Sequence, residues 1–343
     1  MPALYHRFDG YEQLKPVLDG SDEDVLVNLG KPALVRIPGT EPRSRARLVS
    51  CLLHGNEDSG YRAVLEVLRE GARYPFDLWV LVGNVRAAVT DGWYAHRFLE
   101  GQEDFNRVWG WREPTTKMRR CADAVLDELR LVDLEAGVDL HNNTGSNPHY
   151  CVLPRLGADG LELASLFSDT VLHWGMRLHT LMEALSPRCP AVAVECGLPR
   201  HTENLQWASR AVRRFLARES FEARTPPAVT LFEQCYRVVV RPEVPFAFGG
   251  TLSEDVDLVL SVGLDTHNFG MLLAGTQIGV VEPGAAVPLC VTDARGVDVT
   301  GRFLGVAADG RLALRQDVTP VMMVTNAVQA RKDCLFYIAR RRT

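Results

Sequence analysis

From about residue 45 to residue 220, short apolar runs alternate with longer stretches whose apolar positions recur at helical spacing. The runs are RLVSCLL (47–53), LWVLVG (78–83), AGVDLH (136–141), YCVL (150–153) and AVAVE (191–195). They are rich in Val and Leu and mostly apolar at successive positions, as in strands covered on both faces. Between them, Tyr61, Val64, Leu65 and Leu68 fall at i, i+3, i+4 and i+7 of a helix over 59–70, with Ser59 placed as its N-cap. Cys121, Val125, Leu129 and Val132 make a similar stripe in 118–132, and Leu205, Ala208, Val212, Phe215 and Leu216 do so in 201–219. This alternation predicts an α/β fold with a mixed, largely parallel central sheet flanked by helices. The first 45 residues are expected to hold a short helix (10–18) and a hairpin-like pair of strands.

At Arg224-Thr225-Pro226-Pro227 the texture changes. YRVVVRPEVPFAF, TQIGVVEPGAAVPLCV and GRFLGVAADGRLALR read as short strands joined by tight turns, such as Ala308-Asp309-Gly310. The expected division is therefore an α/β domain over 1–225 and a smaller β-rich domain over 226–343.

Composition narrows the function classes. Of 343 residues, 46% are hydrophobic and 24% charged, which suits a sizeable core. The net charge of −5 is spread along the chain and argues against nucleic acid as a partner. No apolar window approaches the ~18 residues of a membrane span, and MPALYHRFDGYEQL lacks the pattern of a secretory signal. The eight cysteines include no CxxC pair and read mostly as reduced core thiols of a cytoplasmic protein.

The chemistry collects where strands end, which in open α/β sheets is the rim that binds ligands. RLVSCLL runs into His54-Gly55-Asn56-Glu57. An imidazole and a carboxylate three residues apart across a turn converge on one Zn²⁺, with Gly55 allowing the tight backbone. Alone, the pattern also fits a helix start with an acidic first turn. In Asp139-Leu140-His141, the aspartate and histidine share a strand face. His141 joins His54 and Glu57 in a set of three protein ligands, the pattern of a catalytic zinc. Asp139 would accept the other ring N–H of His141 or be structural. Glu195 closes the apolar run AVAVE. Beside a metal it would act as general base and then general acid; without one, a salt bridge to arginine is the better reading. Asp104-Phe105-Asn106-Arg107, with Arg97 upstream, offers an Asn-Arg pair able to grip a carboxylate, the arginine in a bidentate fork. No GxSxG, P-loop or strand-following GxGxxG competes, and a Cys196–His141 hydrolase has little support.

In their order, HGNE, NR, DLHNNTG and VECG resemble the succinylglutamate desuccinylase/aspartoacylase family of zinc carboxypeptidase-like hydrolases. The likeness covers residues ~45–220, and YRVVV, HNFGMLLAGTQIG and TPVMMVTN extend it in kind into the β-rich tail. It implies one Zn²⁺ held by His54, Glu57 and His141, with Glu195 as the catalytic carboxylate. It implies Asn106 and Arg107 at the substrate carboxylate, and an arginine before that pair that polarises the scissile carbonyl. Arg97, nine residues before Asn106, is the nearest candidate. The family's second specificity arginine maps to Arg177 or Arg188. Its late tyrosine has no counterpart, since Ala330 stands near that point and the next tyrosine is Tyr337.

The resulting expectation is a zinc amidohydrolase acting on a small N-acyl amino acid or a related carboxylate, with a homo-oligomer compatible with it. A zinc carboxypeptidase acting on short peptides and a catalytically weak metal-containing binding protein are the alternatives.

Overall fold

The computed structural model describes residues 3–41, 45–111, 113, 115–221, 227–332 and 334–342. It divides into two compact units: residues 1–142, 149–171 and 177–229, and residues 143–148, 172–176 and 230–343. The expected domain break at 225/226 lies outside the described residues.

In the first unit the strands are β1 (His6–Asp9), β2 (Ala33–Ile37), β3 (Ala46–Cys51), β4 (Asp77–Val82), β5 (Leu134–His141), β6 (Tyr150–Leu153) and β8 (Ala191–Glu195), while β7 (Thr170–His173) has its first two residues in this unit and its last two in the second. The helices used below are α1 (Tyr11–Leu14), α2 (Asp22–Leu29), α3 (Asp58–Glu70), α4 (Val85–Val89), α5 (Lys117–Arg130), α6 (Ala158–Ser165), α7 (Leu181–Leu185) and α8 (Thr202–Ala217). The sheet runs β1-β2-β4-β3-β5-β8-β6. Its centre, β4-β3-β5-β8, is parallel, while β2 and β6 join antiparallel, giving the expected mixed and largely parallel sheet.

Register decides what faces what. His141 lies opposite Glu195, and Asp139 lies opposite Ser50 on one side and Ala193 on the other. All share one face with Leu48 and Gly137, because side chains alternate along a strand. That face is covered by α5 and α7 through Val125, Leu126, Leu129, Met182 and Leu185. On the opposite face α3 packs against β3, β5 and α8. A Cβ on Gly60 would sit 2.5 Å from the Leu140 Cβ, so glycine sets the closeness of α3 to β5. Burial of Val64, Leu65 and Leu68 contributes about 1.5–3 kcal/mol each.

Three expectations need correction. β1 and β2 pair in parallel, so they form no hairpin. The chain makes a crossover through α1 and α2, and α2 starts at a capping box in which Ser21 and Asp24 exchange side-chain-to-backbone bonds. Ser59 does not cap α3: the N-cap is Glu57, whose side chain makes no capping bond. β3 also stops at Cys51, two residues before the end of the apolar run. Leu52 has φ 57, and this left-handed conformation breaks the strand.

The second unit contains β9 (Thr230–Val240), β10 (Phe246–Phe248), β11 (Leu258–Leu260), β12 (Gln277–Val281), β13 (Leu289–Asp293), β14 (Leu304–Val306), β15 (Arg311–Leu314), β16 (Thr319–Val321) and β17 (Phe336–Arg341). β13, β9, β17 and β16 pair antiparallel in that order. A separate sheet runs β10-β11-β12-β15-β14. Ala308-Asp309-Gly310 is the tight turn of the β14–β15 hairpin, with Gly310 at φ 85. Val238, Leu258, Ile278, Leu289, Leu312 and Phe336 are among its buried core residues.

Candidate metal centre and active site

The loop after β3 and the last residues of β5 and β8 bring His54, Glu57, His141 and Glu195 to the C-terminal rim of the parallel strands. β4 lies on one side of β3 and β5 on the other, so the β3–β5 crevice is a switch point of the sheet order. Leu52 turns the chain there, and its left-handed backbone costs about 1–2 kcal/mol. It is held by bonds from the Gly83 N–H to the Cys51 carbonyl (3.0 Å) and from the Asn84 N–H to the Leu52 carbonyl (2.6 Å). Gly55 is needed for close approach: a Cβ would lie 2.6 Å from both the Ala87 Cβ and the Ala88 nitrogen.

One ligand atom from each of His54, Glu57 and His141 lies within 4.8 Å of the others. Each residue is only 4% exposed. The inward atoms are the two Nδ1 nitrogens and the carboxylate, with His54 Nδ1 2.8 Å from Glu57 Oε1 and His141 Nδ1 2.7 Å from Glu57 Oε2. The outward nitrogens meet other carboxylates, His54 Nε2 at 3.0 Å from Asp104 Oδ1 and His141 Nε2 at 2.7 Å from Asp139 Oδ2. Carboxylates behind both imidazoles fix the rings and leave Nδ1 facing the cluster, as metal-ligating histidines require. Two imidazoles and one carboxylate form a donor set suited to Zn²⁺.

Electrostatics tie the cluster together. Burial opposes ionisation of Glu57, but the neighbouring His54 and His141 hold its carboxyl far below the ordinary range. Burial likewise opposes ionisation of Asp104, and His54 and Arg97 outweigh it. For His141, burial is outweighed by Asp139 and Glu57, which push its pKa well up. Glu195 behaves oppositely: desolvation raises it to about 7, with His141 pulling against that rise and Glu57 adding to it.

Arg97 donates from Nε to Asp104 Oδ2 at 3.0 Å and places Nη1 3.7 Å from Glu57 Oε1. Its backbone carbonyl accepts the Gly55 N–H at 2.9 Å. Asn106 is buried, with its amide nitrogen 3.1 Å from His141 Nε2 and its amide oxygen accepting the Leu181 N–H. Arg107 is half-buried and donates from Nη1 to the Asn106 carbonyl at 2.9 Å. Arg188 is committed to the end of α5, donating to the carbonyls of Leu129, Arg130 and Val132. Arg177 and Arg188 both border a cavity of about 260 Å³ with Trp109, His179 and Glu183. Tyr337 is buried in β17 of the second unit, edge-on to Trp174. The support of His54 by Asp104 was missed in the sequence, where the motif was read only for its Asn-Arg pair. The signal was an aspartate two residues before a candidate site residue.

This architecture is the fold of the succinylglutamate desuccinylases and aspartoacylases. The succinylglutamate desuccinylase of Vibrio parahaemolyticus superposes with a TM-score of 0.58 at 17% identity, covering 90% of this chain and 86% of that one. A succinylglutamate desuccinylase/aspartoacylase from Rhodobacter sphaeroides gives 0.57 at 14% identity, over 90% and 89%. The ectoine utilization protein EutE of Ruegeria pomeroyi, solved with product bound, gives 0.56 at 13% identity, over 89% and 88%. No family model matches the chain, and no curated protein matches it in sequence. Among the described residues no helix is long and apolar enough to cross a membrane.

Proposed function

We propose that the chain is a zinc-dependent amidohydrolase that removes the acyl group from a small N-acyl amino acid or related carboxylate. The observation that carries this reading is the convergence of His54, Glu57 and His141 within 4.8 Å, with Glu195 in register beside His141. In this reading the three residues hold one Zn²⁺, which supplies a polarised carbonyl and a water acidified toward a pKa of ~7. The α/β domain over 1–225 then carries the chemistry.

Glu195 takes a proton from the attacking water as its oxygen bonds to the amide carbon. When the C–N bond breaks, the same carboxyl returns the proton to the departing amine. Burial favours the protonated form of this carboxyl and so helps it to hold the proton between the two transfers. Arg97, whose Nη1 stands 3.7 Å from Glu57, faces the charge that develops on the carbonyl oxygen. Arg107 anchors the substrate carboxylate. Asn106 joins it by exchanging its bond to Asp139 or to Leu181 for the substrate. Cys51, Cys121, Cys151, Cys189, Cys196 and Cys290 are free thiols, in keeping with a cytoplasmic enzyme.

The test is a panel of N-acetyl and N-succinyl amino acids, with short peptides as controls, run on zinc-loaded and chelated protein. Zinc-dependent release of free amino acid from acylated substrates is expected. Turnover of peptides alone would replace this reading with a carboxypeptidase, and no turnover on any substrate would reject catalysis.

A further inference from the structure

Glu57 poses a local problem. It stands at the N-cap of α3, where a side chain ordinarily accepts a first-turn N–H, yet its carboxylate is turned to His54 and His141. The missing cap comes from another strand end. Asn142, one residue beyond β5, accepts the Ser59 N–H on its Oδ1 at 3.0 Å. Its amide nitrogen donates to Ser59 Oγ at 3.0 Å and to the Gly197 carbonyl at 2.7 Å. Its backbone N–H donates to Glu57 Oε2 at 3.2 Å. The side chain is buried, and both amide hydrogens have acceptors.

We infer that Asn142 is a positioning residue that caps α3 in place of Glu57 and ties the three strand-end loops of the site together. Through Ser59 it fixes the start of α3, which carries Glu57. Through the chain it adjoins His141. Through Gly197 it holds the turn two residues beyond Glu195, whose position is also set by a 2.8 Å bond from the Cys196 N–H to the His141 carbonyl. Gly197 has φ 80, and a Cβ there would lie 2.6 Å from the Asn204 side chain, so this turn has little freedom to adjust. Without the amide, Glu57 is drawn between capping its own helix and serving the cluster, and the Glu195 loop loses an anchor.

The inference rests on the proposed zinc hydrolase, and two variants separate its parts. Asn142→Ala removes every side-chain bond. Asn142→Asp keeps an acceptor for the Ser59 N–H but removes the donation to Gly197. Zinc affinity is read by competition with a chromophoric chelator, the site geometry by the visible spectrum of the Co²⁺ form, and turnover by kcat and KM separately. Asn142→Ala should weaken zinc by roughly tenfold or more and alter the Co²⁺ spectrum, in the range found when outer partners of metal ligands are lost. Asn142→Asp should hold zinc at least as tightly as wild type but lose kcat by tenfold or more, with KM little changed. A merely structural role would lower the melting temperature of both variants and leave zinc affinity, spectrum and kcat as in wild type, which overturns the inference. If Asn142→Ala does not fold, Asn142→Asp with wild-type kcat overturns it alone. If wild type itself binds no zinc, the functional reading and this inference fall together; if wild type binds zinc and both variants match it, only the inference falls.

Discussion

Each imidazole of the cluster has one nitrogen facing inward and one held from behind, so its orientation depends on residues that would never touch a metal. Asp104 accepts from His54 and from Arg97, making it the joint between a proposed ligand and the proposed carbonyl-polarising group. Asp104→Asn keeps the size but offers His54 and Arg97 a weaker, neutral partner. We expect a 10–100-fold loss of zinc affinity, measured by chelator competition. Unchanged affinity would mean that Asp104 only neutralises Arg97. His54, Glu57, His141 and Glu195 were legible in the sequence because residue type and strand-end position both mark them. The role of Asn142, which stands inside DLHNNTG, was not, because its partners Ser59 and Gly197 lie 83 and 55 residues away.

At the scale of elements, the strands YCVL and AVAVE were readable to the residue, since turn or polar residues bound short apolar runs. RLVSCLL was read too long because its last residues are buried without being strand: Leu52 and Leu53 have no exposure, yet Leu52 is left-handed. The parallel pairing of β1 with β2 was missed because α2 is only eight residues and carries three acidic residues in its first turn. Long-range ties between elements were also invisible. Arg47, fully buried in β3, bonds Glu135 of β5 at 2.9 Å and the Phe215 carbonyl at the end of α8 at 2.7 Å. Its guanidinium also lies over the Phe76 ring at 4.0 Å. Arg47→Ala leaves Glu135 with Arg45 at 3.7 Å and the α8 terminus uncapped. We expect a loss of about 3 kcal/mol or more in denaturant unfolding, because a buried carboxylate loses its close partner. Arg47→Lys should not restore it, since one ammonium cannot reproduce the fork. A change below about 1 kcal/mol for Arg47→Ala would show that the network is dispensable.

For the whole molecule, the change in texture near residue 226 announced a β-rich second part, and the strands from Thr230 onward agree with that texture. The sequence did not reveal that Asn143–Pro148 and Leu172–Met176 group with the later residues. Ser146, for example, donates its N–H to Asp265 at 2.9 Å, a partner 119 residues away that no local pattern marks. In the proposed reaction one zinc is held by His54, Glu57 and His141, and Glu195 moves the proton beside it. The most direct test of this reaction is zinc content and turnover measured on the same preparations of wild type and Glu195→Gln. One zinc per chain in both is expected, with kcat in the variant reduced by about 10²–10⁴. Full turnover by zinc-loaded Glu195→Gln, or a wild type that hydrolyses acyl amino acids equally well after its metal is stripped, would contradict the account.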